Sequence, residues 1–191
     1  MRLVAALASL SAVAWAPPAA AAATVVVASE RRGDVIEISA TAALTADPET
    51  AWRVLTDYGR YTEFIPDLRS SRIVGRHGST VTVEQSGDAA LGPFRFPMEI
   101  TFEIQETPPH HLESRAVAGT LRALTSSYSL TPVHPGTRLD YIGHVRPGFA
   151  IFGRIEQAAA ERNVARQFRA LADEIERRGA AAPSQSTAGT K

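Results

Sequence analysis

The sequence contains no cysteine. That excludes a disulfide framework, a lipidated cysteine anchor, and any thiolate acting as nucleophile or metal ligand, so the folded chain must hold itself together by its core. Net charge is absent too: 20 basic residues, nearly all arginine, balance 20 acidic ones. With no basic surplus to gather on one face, a nucleic-acid partner is disfavoured. No repeat is visible, and no charge block or linker divides the stretch from about Val25 to Arg178. A single domain of about 150 residues is therefore expected.

Long apolar runs are also missing. The longest candidate, Leu3 to about Trp15, is shorter than the ~20 residues a membrane span requires. It follows Arg2 and leads into Pro17-Pro18 and an alanine tract with repeated A-x-A triplets. That order is the pattern of a cleaved secretory signal, which predicts residues 1–23 as a signal peptide and a periplasmic or secreted mature protein. At the other end, GAAAPSQSTAGTK from Gly179 offers nothing large to bury and predicts a disordered tail over 179–191. The folded domain is expected over 24–178.

What is present is a strong period of two. GDVIEISATAAL, Gly33 to Leu44, alternates, with Ile36, Ile38, Ala40, Ala42 and Leu44 on one face. Asp47-Pro48-Glu49 then reads as a helix start: an N-cap carboxylate, proline at the first helical position and an acid in the first turn. A helix over Pro48 to Asp57 is followed by DYGRYTEFIPDL, where Tyr58, Tyr61 and Phe64 at spacings of three predict a second short helical turn before Pro66. From Arg69 to Arg146, six alternating segments separated by glycine and proline turns predict an antiparallel meander. Ile151 to Arg178 is a long amphipathic helix, with Val164, Phe168, Leu171 and Ile175 near one stripe.

The sum is an α+β fold: a seven-stranded antiparallel sheet wrapped around a long C-terminal helix, with two short helices after the first strand. Alternation lists what each strand sends toward that helix. The strand starting at Phe94 sends Phe94, Phe96, Met98, Ile100, Phe102 and Ile104. Its neighbours send Gln85, Ser114, Ser126, Tyr128, Tyr141, Gly143 and Val145, with Arg122 at the mouth. Such an apolar interior with a few polar groups fits a small-molecule site, and it equally fits a core whose polar groups satisfy one another.

The segment AWRVLTDYGRYTEFIPDLRSSRIV (Ala51 to Val74), with SYSLTPVHPGTRLDYIGHV (Ser127 to Val145) and the terminal helix, resembles the START-like superfamily. Within it, the nearest likeness is to the polyketide cyclase/dehydrase and coenzyme Q-binding group. The resemblance implies a helix-grip fold whose cavity holds a lipid, sterol, quinone or polyketide. It also implies that Tyr58, Tyr61, Phe64 and Pro66 sit at one end of that cavity. Some members of the group are cyclases or aromatases, and others only bind and deliver.

Candidate chemistry is sparse. His110-His111 point to opposite faces of one strand and cannot both ligate a metal from one side. His144, Asp140 and Arg138 fall on the outer face. Arg162 reads most simply as part of the solvated side of the last helix, with a place at the cavity mouth, as a partner for a polar head group, as the alternative. No metal or cofactor is expected. The ligand-binding residues expected are Tyr58, Phe64, Phe96, Met98, Phe102, Tyr128, Tyr141 and Phe168. They serve a binder of a hydrophobic small molecule, a role compatible with transient membrane contact. A cyclase or dehydratase using the same cavity is the alternative.

Overall fold

The computed structural model describes residues 23–147 and 153–181, the side chains of residue 91 and of residues 153–156 excepted. All of the expected signal segment but Ala23 lies outside the described residues, as does the expected tail beyond residue 181.

The buried alternation seen in the sequence is the organising strand of the sheet. In β2 (Val35–Leu44) the side chains of Ile36, Ile38, Ala40, Ala42 and Leu44 are all buried. Opposite it runs β8 (Thr137–Arg146), paired from Ile36↔Val145 to Leu44↔Thr137. The meander supplies β3 (Leu68–His77), β4 (Thr80–Leu91), β5 (Phe94–Thr107), β6 (His111–Gly119) and β7 (Ala123–Pro132). Every described pairing is antiparallel.

The sheet has eight strands rather than seven, in the order β1-β2-β8-β7-β6-β5-β4-β3. The extra strand is β1 (Thr24–Arg32), an edge paired with β2 from Thr24↔Ala43 to Arg32↔Val35. Its valines run consecutively, so no period of two appears in the sequence. Val25 and Val27 are half-buried, while Val26 between them faces solvent. The short helices consequently follow the second strand, not the first.

In α1 (Pro48–Leu55) the Asp47 carboxylate accepts from the Thr50 backbone N–H and hydroxyl, both at 2.8 Å, as an N-cap should. The helix stops two residues earlier than expected and passes into a 3₁₀ turn, Tyr58–Glu63, that packs on β3.

The last helix, α2 (Gly153–Ala181), lies along the concave face of the sheet and buries Phe168, Leu171, Ala172 and Ile175. Its far end is stitched to the start of the chain. Glu176, buried, accepts from both the backbone N–H and the hydroxyl of Thr45. Arg178 reaches Asp57 at 2.7 Å and Glu174 at 2.6 Å. The helix also runs three residues past the expected end. Gly179 belongs to it because the missing side chain lets the helix lie on Ala46, which a Cβ there would strike.

Phe94 corrects the expected inner face: it is 65% exposed. Pairing of β5 with β6 begins only at Ile100, so the β4–β5 hairpin tip projects past its neighbour. Alternation assigned the face, but among the described residues the Phe94 ring at the tip is left uncovered.

Candidate functional site

Between the concave face of the sheet and α2 lies a cavity of about 320 Å³. Apolar wall comes from Met98, Ile100 and Phe102 of β5, Leu55 of α1, and Val164 and Leu171 of α2. Of the residues expected to bind ligand, Tyr58, Met98, Phe102, Tyr128 and Tyr141 line this space together.

Three expected residues do not line it. Phe64 ends the 3₁₀ turn with its ring under the Arg178 guanidinium, 5.7 Å away, so it anchors the helix end from outside. Phe168 is buried, but it stands behind Tyr141, ring centroids 6.3 Å apart, and supports the wall without forming it. Phe96 lies toward the hairpin tip, half-buried and off the cavity. In place of Phe64 the cavity takes Tyr61, its neighbour one 3₁₀ turn back, 5.5 Å from the Phe64 ring. The spacing of three pointed to Tyr61 as well as to Phe64; it did not say which ring faces inward.

Four phenols therefore look into one apolar space. The Tyr58 hydroxyl donates to Glu106 at 3.0 Å, and Glu106 is 3.5 Å from Arg76. The Tyr61 hydroxyl donates to the Leu55 carbonyl at 2.5 Å. Tyr141 has Ser126 beside its hydroxyl, and Ser126 is itself 2.8 Å from Ser114. Burial raises all four above the ordinary phenol range, Tyr141 to about 12. At neutral pH they are neutral hydrogen-bond donors, not phenolates.

The polar end of the cavity is a knot of ions that the sequence did not reveal, since its members come from β5, α2 and the turn before β3. Asp67, in the left-handed region at φ 63°, lines the cavity and meets Arg95 at 2.5 Å and Arg166 at 2.6 Å. The Arg95 guanidinium bonded to it holds its carboxyl below the usual range; burial opposes this and Arg166 reinforces it. Arg166 also bonds Asn163, whose side-chain amide clasps the backbone N–H and carbonyl of Ala90 in β4. Asp88 pairs with Arg69 at 2.6 Å beside them. Arg122, expected at the mouth, is exposed and does not line the cavity; Arg162 is exposed on the solvated side of α2 and does not line it either.

The opposite face of the sheet carries a groove of about 570 Å³, larger than the cavity. Its charges are already engaged: Arg115 meets Glu103 at 2.5 Å, and His144 faces Glu37 at 3.5 Å. Size therefore does not select the site; the enclosed apolar chemistry does. His144, Arg138 and Asp140 fall on this outer side as expected, the last two paired at 2.8 Å. His111 is 3.0 Å from the Ser129 hydroxyl.

Comparison with known proteins follows the same line. A sequence model described as polyketide cyclase / dehydrase and lipid transport matches residues 35–179. No curated protein matches. Similar solved structures include a protein from Thermus thermophilus, at 19% identity and a TM-score of 0.65, covering 78% of this chain and 99% of that one. A STAR-related lipid transfer protein from Xanthomonas axonopodis is similar at 13% identity and a TM-score of 0.65, with 81% and 99% covered. The Zhui aromatase/cyclase from a Streptomyces species is similar at 16% identity and a TM-score of 0.61, with 75% and 94% covered. At these identities the likeness is one of fold: the α+β helix-grip arrangement of an antiparallel sheet closed on a C-terminal helix.

Proposed function

Because the chain belongs to the polyketide cyclase / dehydrase and lipid transport family, we propose that it binds a hydrophobic small molecule in the internal cavity and carries or sequesters it without chemistry. A quinone, a lipid, or a related isoprenoid or aromatic compound is the class that fits. The observation that carries this reading is the enclosed space of about 320 Å³, walled by Met98, Ile100, Phe102, Val164 and Leu171. That volume is within the ~300–1,000 Å³ usual for small-molecule sites. The kinship in fold with a STAR-related lipid transfer protein supports carriage. Carriage in the cell envelope is part of the same proposal and draws on the signal-like pattern of residues 1–23.

A cyclase or dehydratase is the second reading, supported by the likeness to an aromatase/cyclase and by phenols able to polarise a carbonyl. It needs a group that moves protons. The carboxylates on the cavity lining, Asp67 and Asp88, are each held by arginine, and the phenols titrate far above neutrality. Binding therefore ranks ahead of catalysis.

Titration of delipidated protein with ubiquinone and with fluorescent fatty acids tests the proposal. Saturable, one-to-one binding of either is expected; absence of binding to both overturns it.

A further inference from the structure

The four cavity phenols are not equivalent. Tyr58 and Tyr61 each spend their hydroxyl on a partner in the protein, Glu106 and the Leu55 carbonyl, and Tyr141 has Ser126 beside its own. Tyr128 has none among the described residues. It stands opposite Tyr141 in the β7–β8 register, ring centroids 4.8 Å apart, with its ring fixed between that neighbour and the core. The residue is only partly buried and lines the cavity, so its unpartnered hydroxyl opens on that space, which phenylalanine would line equally well. Its surroundings keep the phenol protonated, so at neutral pH it offers a donor that no group among the described residues accepts.

We propose that the Tyr128 hydroxyl is the anchoring donor for an oxygen of the bound molecule, so that the cavity selects apolar ligands bearing a carbonyl or similar acceptor over hydrocarbons of the same shape. This rests on the binding function proposed above and narrows its ligand class: quinones and aromatic ketones fit, plain alkyl and terpene hydrocarbons do not. Tyr141 is the internal comparison, with the same ring on the same wall and Ser126 beside its hydroxyl.

The test uses two probes of nearly equal size, 2-acetylnaphthalene and 2-ethylnaphthalene, titrated into the delipidated full chain by fluorescence. The ketone is expected to bind about five- to tenfold more tightly, the worth of one neutral hydrogen bond in an apolar site. Tyr128→Phe should abolish that preference by weakening the ketone alone, leaving the hydrocarbon affinity unchanged, and should melt no lower than the parent protein. Tyr141→Phe should keep the preference. Equal affinities in the parent protein, as an ordered water satisfying Tyr128 would produce, overturn the anchor while the binding function stands. A preference that survives Tyr128→Phe overturns it as well. Failure of both probes to bind overturns the anchor together with the binding function.

Discussion

Asp67 and Arg166 meet at 2.6 Å at the polar end of the cavity, one on the turn before β3 and the other on α2. With Arg95 also on Asp67, this carboxylate ties the sheet margin, the β4–β5 hairpin and the helix together. Its backbone is tied as well: the Asp67 carbonyl accepts from the Asp88 N–H at 2.9 Å, and any Cβ at Gly87 would run into that carbonyl. The knot straps the polar end of the cavity, with partners that are half-exposed on the arginine side.

Asp67→Asn should loosen the strap more than it weakens the fold. Ion pairs with exposed arginines are worth about 1 kcal/mol or less. A fluorescent fatty acid should dissociate several-fold faster from the variant, measured by stopped flow, with its equilibrium affinity changed much less because the cavity walls are intact. An unchanged dissociation rate would place the entry route elsewhere.

The same carboxylate sets an acid limit. Its folded value lies below the unfolded one, so its contribution is complete above about pH 4 and is lost as pH falls through the lowered folded value. Urea denaturation between pH 5 and pH 2 should show a shallower acid decline in Asp67→Asn than in the parent chain.

Filling the cavity should separate binding from folding. Ile100 lines the cavity and is only partly buried, so Ile100→Trp places a ring into open space. Affinity for a fatty-acid probe should fall at least tenfold, while the melting temperature moves by only a few degrees. A variant that still binds would show that the cavity is not the site.

Phe168 gives the opposite pattern. It is buried behind Tyr141, so Phe168→Ala removes wall support and leaves a void, at roughly 3–5 kcal/mol of stability. Thermal melting should drop by roughly 10 °C, given about 2–4 °C per kcal/mol for a chain of this size.

Gly143 makes room for Tyr141. The two share a face of β8, and a Cβ at residue 143 would strike the phenol. Gly143→Ala should push the ring out of its place between Tyr128 and Phe168 and destabilise by about 1–3 kcal/mol, read from chemical denaturation. Pairing it with Tyr141→Leu, which removes the obstructing hydroxyl, should recover part of that loss.

Much of this arrangement was legible in the residues. The alternation in β2 and β5, the Asp47 N-cap and the aromatic spacing of the 3₁₀ turn carry the element order, the buried face and five of the cavity-lining side chains. Each miss has a physical cause. Period two names a face but not the reach of what covers it, which is why Phe94 stands exposed and Phe96 lies off the cavity. A helical stripe names the side that packs but does not separate a ring in the wall from one behind it, which is why Phe168 was expected in contact with ligand. The ion knot at Asp67 joins residues 28 and 99 positions apart, and no local pattern reports such a meeting.

The stitches from Glu176 to Thr45 and from Arg178 to Asp57 join the last turns of the chain to its first third. During synthesis, then, α2 can be stitched down only once residues 176–178 have been made. Contacts so distant in sequence slow the closing step. A hydrophobic molecule present before that step is expected to be enclosed as the helix docks. Refolding with ligand present should therefore load the protein faster than adding ligand to the finished fold.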